Sequence, residues 1–152
     1  MTFRISEIKH NSPEYKIAIV FREEILRKPL GLTYTKEQLA QEDIEHHIVC
    51  YDGEKLVGAL CLRPLENGEI RMRQVAVAPE YQKKGIGKMM VEYSEEFART
   101  KGYSMIMCHA RVTAIAFYVK IGWDVLGDPF TEVGITHRRC QKILAPAEAV
   151  NQ

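Results

Sequence analysis

Residues Val75 to Met90 read VAVAPEYQKKGIGKMM. An apolar, strand-like run meets Pro79. A loop follows with Gly85 and Gly87 one residue apart and three lysines, Lys83, Lys84 and Lys88. Ile86, Met89, Met90, Tyr93 and Phe97 then recur at helical spacing, and Lys101-Gly102 closes that helix. A strand, a glycine loop and a helix start thus follow one another directly. Helix starts carry orphan N–H groups and the positive end of the dipole. Glycines there let a ligand approach the backbone closely. The stretch from Gln82 to Lys88 therefore reads as a pyrophosphate cradle. The dinucleotide fingerprint does not fit, because its third glycine is missing. The G-x-x-x-x-G-K-[ST] spacing of a nucleotide loop also fails.

The strand feeding the loop, EIRMRQVAVAP, has an irregular pattern. Ile70 and Met72 alternate in one phase, Val75 and Val77 in the other. A strand changes its buried face only with an extra residue, so a β-bulge is expected near Arg73 and Gln74. A bulge leaves backbone groups unpaired, and an extended ligand can take them.

Outward from this stretch, strand and helix signals alternate. Phe3 to Ile8 reads as a strand. Tyr15 to Arg27 reads as a helix with Ile17, Phe21 and Ile25 on one face, ended by Pro29 and Gly31. Thr35 and Gln38 form a capping box for a short second helix. HIVCYDGEKLVGALCLR reads as a hairpin turning at Asp52-Gly53, and Asn67-Gly68 makes the next turn. A three-stranded antiparallel meander results, followed by helix, strand, helix, strand, strand. This order defines an α/β (α+β) fold, with helices flanking a mixed, largely antiparallel sheet. A single domain is expected over residues 1–145, with a disordered tail at 146–152.

The 152 residues suffice for one core, and a formal net charge of +1 gives no global field for nucleic acid or membrane. No run has the length of a membrane span, and MTFRISEIKH lacks the apolar core of a signal peptide. The four cysteines form no C-x-x-C and read as buried free thiols in a reducing cytoplasm. His46-His47 point to opposite faces of a strand, so no metal is expected there.

VAVAPEYQKKGIGKMM resembles the coenzyme-A motif V-x-P-x-x-[RQ]-x-x-G-x-[GA] of the GNAT superfamily N-acetyltransferases, through Gln82, Gly85 and Gly87. TAIAFYVKIGWDVLG resembles the A-x-x-F-Y-x-x-x-G-[FW] helix of the same family, through Ala114, Phe117, Tyr118, Gly122 and Trp123. REEILRKPLGL, HARVTAIAFY and FTEVGITH are similar to a bacterial subgroup with poorly defined substrates. Arg111 stands where the family often has asparagine. The resemblance implies a GNAT-like sheet and acetyl transfer from acetyl-CoA to an amine of a small molecule or peptide, with no metal. A homodimer is left open. A non-catalytic acyl-CoA sensor on the same fold is the alternative. The implied cofactor contacts are Val75, Ala76, Val77, Gln82, Lys83, Lys84, Gly85, Ile86, Gly87, Lys88 and Phe117.

The chemistry sets its own demands. Deprotonating a lysine-like amine at neutral pH costs roughly 4–5 kcal/mol, whereas protonating a cysteine-like thiolate gains only about 2 kcal/mol. A base is the greater need. Tyr118 can serve as neutral donor to the departing sulfur. Glu132 and His137 are candidates for the base, with Glu23, His47 or a water chain as alternatives. Arg22 and Glu23 are candidates for the acceptor side. Arg22, Arg73 and Arg111 could each bind an acidic substrate group. No cysteine lies in either motif, so direct attack in a ternary complex is expected.

Overall fold

The computed structural model describes residues 2–146. The tail expected at 146–152 lies, apart from Pro146, outside them. Seven strands form one mixed, mostly antiparallel sheet: β1 (Phe3–Ile8), β2 (His46–Asp52), β3 (Lys55–Pro64), β4 (Glu69–Val77), β5 (Met105–Arg111), β6 (Asp124–Glu132) and β7 (Ile135–Ile143). Their order is β1-β2-β3-β4-β5-β7-β6. Four α-helices interrupt them: α1 (Pro13–Arg22), α2 (Lys36–Ala40), α3 (Ile86–Thr100) and α4 (Ile115–Lys120). The chain divides into two compact units, Met1–Pro64 with Met72–Ser94, and Leu65–Arg71 with Glu95–Gln152.

In the first unit, Ser12 caps α1 by accepting from the Tyr15 N–H, with Pro13 at its first turn. The helix passes into a π-helical turn, Glu23–Arg27, and a 3-10 turn, Lys28–Leu30, before Gly31 at φ 71° ends it. The face expected from Ile17, Phe21 and Ile25 is displaced. Tyr15, Ala18 and Arg22 are buried, whereas Ile17 is 57% exposed. The cause is an ion pair: Arg22 meets Glu42 inside the unit and turns that edge of the helix inward. Ala18, Val49 and Ala59 form a core cluster with Ile8, Phe21, Tyr51 and Leu56 against it. The capping box of Thr35 and Gln38 opens α2 as expected. The first hairpin turns at Gly53-Glu54, one residue later than expected, because Asp52 pairs with Lys55. On the part of α3 in this unit Ile86, Met90, Val91 and Ser94 are buried. Met90 packs closely on Gly58: a Cβ there would overlap its sulfur, and the flexible thioether would have to shift.

In the second unit, β4 pairs with β5 in parallel, from Glu69↔Met105 to Arg71↔Met107. β5 pairs antiparallel with β7, and β7 with β6. Ile106, Cys108, Ala110, Tyr118, Trp123 and Cys140 are buried.

Candidate functional site

In the first unit the irregularity of β4 sits at Gln74, whose φ of 55° is left-handed. This lies where the bulge is expected, but the buried face does not change. Ile70, Met72 and Ala76 are the buried residues, all on even positions, and Val75 and Val77 are half-buried. The left-handed backbone at Gln74, rather than a change of buried face, marks the bulge.

Side chains from three elements hold this point. The Tyr34 hydroxyl donates to Gln74 Oε1. The Tyr34 N–H donates to Glu23 Oε2 at 3.1 Å. The guanidinium carbons of Arg22 and Arg27 lie 4.9 and 5.0 Å from the Tyr34 ring centre. Burial pushes the Tyr34 phenol up, against the pull of Arg22, so the hydroxyl stays a donor. Arg73, beside Gln74, reaches Glu45 at 2.7 Å.

Arg22 is 2% exposed and its Nη atoms grip both Glu42 oxygens, at 2.9 and 2.7 Å. Tyr15 adds a hydrogen bond to Glu42 at 2.8 Å. Burial raises the Glu42 carboxyl, but Arg22 and Tyr15 outweigh it and hold the group below its usual range. Glu42, His47 and Cys61 also bring ligand-type atoms within 4.8 Å of one another. Arg22 already occupies that carboxylate, and burial pushes the Cys61 thiol up to about 12. The trio is thus a neutral thiol and a charge-paired carboxylate beside an imidazole, a poor donor set for a cation.

The loop after β4 closes on itself. Gln82 Nε2 donates to the Val77 carbonyl at 3.1 Å. Lys83 and Gly85 take left-handed backbone, at φ 66° and 83°. The space in front of Gly85 is open: a Cβ there would meet nothing within 4 Å. The first helical bond of α3 runs from the Met89 N–H to the Gly85 carbonyl, at 3.0 Å. The N–H groups ahead of it have no intrahelical acceptor. Gln82, Lys83, Lys84, Gly85 and Lys88 are exposed and Gly87 is half-buried. Ile86 is fully buried, so only its backbone can serve a ligand.

In the second unit α4 carries Phe117, 37% exposed, and Tyr118, 7% exposed. The Tyr118 ring meets Phe117 edge-on at 5.1 Å and Trp123 at 5.1 Å. Burial, and then the neighbouring Cys108, raise its phenol well above the ordinary value. Cys108 faces Cys140 across the β5–β7 ladder.

Glu132 and His137 fall in one cluster around Phe130. The Phe130 ring is stacked with His137 at 6.0 Å and edge-on to His109 at 4.9 Å. His137 is 6% exposed and donates Nδ1–H to the Ile135 carbonyl at 2.8 Å. The carboxylate of Glu132 does not engage His137 in any hydrogen bond among the described residues. It meets His109 Nδ1 at 2.7 Å, and Arg71 at 3.5 Å. His109 is overlooked in the sequence. Strand alternation was the available signal: it stands half-buried between buried Cys108 and Ala110. Arg111, also half-buried, ends β5 opposite His137.

The sequence profile of the Acetyltransferase (GNAT) family matches residues 13–123. The uncharacterized N-acetyltransferase YjcF of Bacillus subtilis (strain 168) is 32% identical over 136 residues, covering 89% of this chain and 96% of YjcF. The uncharacterized N-acetyltransferase YitI of the same organism is 27% identical over 121 residues, covering 75% and 80%. The chain therefore belongs to the GNAT family of acetyltransferases. Among solved structures, one from Lactobacillus plantarum has a TM-score of 0.84 at 23% identity, covering 95% of this chain and 100% of that one. A Bacillus subtilis acetyltransferase in complex with CoA has a TM-score of 0.73 at 18% identity, covering 95% and 100%. These two likenesses establish the GNAT fold. Among the described residues no helix is long and apolar enough to cross a membrane.

Proposed function

We propose that the protein transfers the acetyl group of acetyl-CoA to a primary amine of a small molecule or peptide, by direct attack in a ternary complex. The observation that carries this reading is the left-handed backbone at Gln74 inside β4, followed in the same stretch by the open, glycine-flanked start of α3. Backbone groups of Val75, Ala76 and Val77 hold the pantetheine arm as an added strand. Backbone N–H groups from Lys83 to Lys88 take the pyrophosphate, where the helix dipole favours negative charge. Gln82 pins this loop to Val77, and exposed Phe117 offers apolar surface to the cofactor. A backbone N–H at the bulge polarises the thioester carbonyl. Tyr118 gives its proton to the departing thiolate as the C–S bond breaks.

On the acceptor side, Glu23 fixes Tyr34 and can meet the amine, whereas Arg22 acts from behind, through Glu42 and the Tyr34 ring. Glu132 and His137 belong to the proton-handling cluster. The four cysteines are buried and none lies in either motif, which supports attack without a covalent enzyme intermediate. Free thiols also fit a cytoplasmic protein. No metal enters this reading.

Calorimetry with acetyl-CoA tests the cradle. Gly87→Val should abolish binding and Lys83→Ala should weaken it only modestly. A neutral Gly87→Val would move the cradle elsewhere. The burial of Tyr118 favours a second reading, an acyl-CoA sensor. A sensor binds acetyl-CoA but releases no thiol with any amine.

A further inference from the structure

One face of the second unit is unusually polar for a sheet interior. Pairing puts His109 opposite Arg139 and Arg111 opposite His137 on β7, and Phe130 opposite His137 on β6. Arg71, on β4, stands at the last rung of the β4–β5 ladder, and His109 lies two residues past that rung on β5. Arg71, His109 and Glu132 side chains are 27%, 28% and 40% exposed, so solutes reach all three.

His109 Nδ1 lies 2.7 Å from Glu132 Oε2 and 2.9 Å from Arg71 Nη2. A carboxylate only accepts and a guanidinium only donates. A neutral ring can answer one of them, not both. The shorter contact, to an ionised carboxylate, is the stronger. Nδ1 therefore carries the hydrogen and donates it to Glu132 Oε2, while Arg71 Nη2 lies 3.5 Å from the other oxygen of the same carboxylate, within ion-pair range. That tautomer leaves a lone pair on Nε2. Among the described residues no hydrogen bond reaches Nε2.

We propose that His109 is the group that takes the acceptor amine's proton, through Nε2, and that Glu132 is a positioning residue acting through Nδ1. This rests on the acyl-transfer reading above and replaces its shared assignment to Glu132 and His137 with one named base. The ammonium gives one proton to Nε2 and becomes a nucleophile. Its nitrogen bonds the thioester carbon, the C–S bond breaks, and the nitrogen loses a second proton. One proton ends on the coenzyme sulfur and the other passes through Nε2 to solvent. Burial, then Arg71, hold the imidazole below its ordinary value, with His137 adding to the effect and Glu132 opposing it. The ring is thus neutral at neutral pH and free to accept. Arg139, the fourth charged neighbour by register, is paired with Glu69 at 3.1 Å.

Full-length wild type, His109→Gln and Glu132→Gln make the test. Acetyl-CoA affinity, measured by calorimetry, should be the same in all three. If wild type fails to bind acetyl-CoA, the acyl-transfer reading fails, and that loss is separate from this one. Imidazole NMR on histidine-labelled protein reads the tautomer with no acceptor present, and the signal missing in His109→Gln assigns it. The Nδ1–H tautomer is expected in wild type. In Glu132→Gln the His109 titration should move to lower pH, because the opposing carboxylate is gone. Thiol release with spermidine, glucosamine and a free tripeptide reads the reaction. With whichever amine turns over, His109→Gln should lower kcat/KM by about 10²–10⁴ and lose the acidic limb of the pH profile. The deficit should narrow at high pH, where the amine deprotonates itself. An Nε2–H tautomer, or an acidic limb retained in His109→Gln, overturns the proposal.

Discussion

Two ionic clusters built from the same residue types do opposite things in this molecule. In the first unit, Arg22 and Glu42 are each 2% exposed and answer one another bidentately, with Tyr15 on the same carboxylate. In the second, Arg71, His109 and Glu132 meet at similar distances but keep roughly a quarter to two fifths of their side chains open. A closed pair whose partners saturate one another holds structure. An open group of the same kind can exchange protons. Charge alone therefore says little about function, and saturation by partners says more. Arg22, attractive as a substrate-binding guanidinium in the sequence, lies inside the protein, while unheralded His109 faces outward.

The sharpest way to break this contrast is to remove one member of each cluster. Glu42→Ala strands a buried guanidinium and should cost about 3–5 kcal/mol, or roughly 10 °C in Tm for a chain of this size. Glu132→Gln should leave Tm nearly unchanged, within the spread of about 0.5 kcal/mol typical of open positions. Thermal denaturation of both decides the matter, and equal losses would erase the distinction between the clusters.

A second prediction concerns Tyr118, which is buried like Arg22 but assigned to chemistry. Tyr118→Phe should lower turnover about 10²-fold, the low end for acid catalysis, since a thiolate leaves readily. Acetyl-CoA affinity should hold, because the hydroxyl acts on charge that develops late. Unchanged turnover, with chemistry limiting the rate, would return Tyr118 to packing alone.

The smallest effect is the pH dependence of the closed cluster. Burial holds His47 below its ordinary value of 6.5. As pH falls through 6.5 the unfolded chain takes up this proton and the folded one resists. The stability present above 6.5 is therefore lost on the way down to the folded value. Glu42, held below 4.5, adds its own loss only under that pH. Tm should decline from pH 7 to 5.5, and His47→Gln should flatten part of the decline. An unaltered slope would mean that His47 binds its proton equally in the folded and unfolded chain.

Local signals in the sequence reach a good part of this structure. Thr35 and Gln38 announce α2, Gly102 announces the end of α3, and the loop from Gln82 to Lys88 turns into α3 where its glycines suggest. These features depend on neighbours a few residues apart. The inward face of α1 depends on Arg22 finding Glu42 twenty positions on, and no helical period encodes that. The bond between His109 and Glu132 spans 23 positions and exists only because β7 pairs with both β5 and β6. The Tyr34–Gln74 contact spans 40 and fixes a bulge whose position, but not whose cause, was legible.

Thiol release from acetyl-CoA, measured across polyamines, amino sugars, aminoglycosides, amino acids and peptides, tests the central claim most directly. The account predicts release that requires both acetyl-CoA and an amine, is lost in Gly87→Val, and is matched by acetylated amine in the mass spectrum. Tight acetyl-CoA binding by calorimetry, with no thiol released by any amine at any pH, would contradict it and leave the sensor reading in its place.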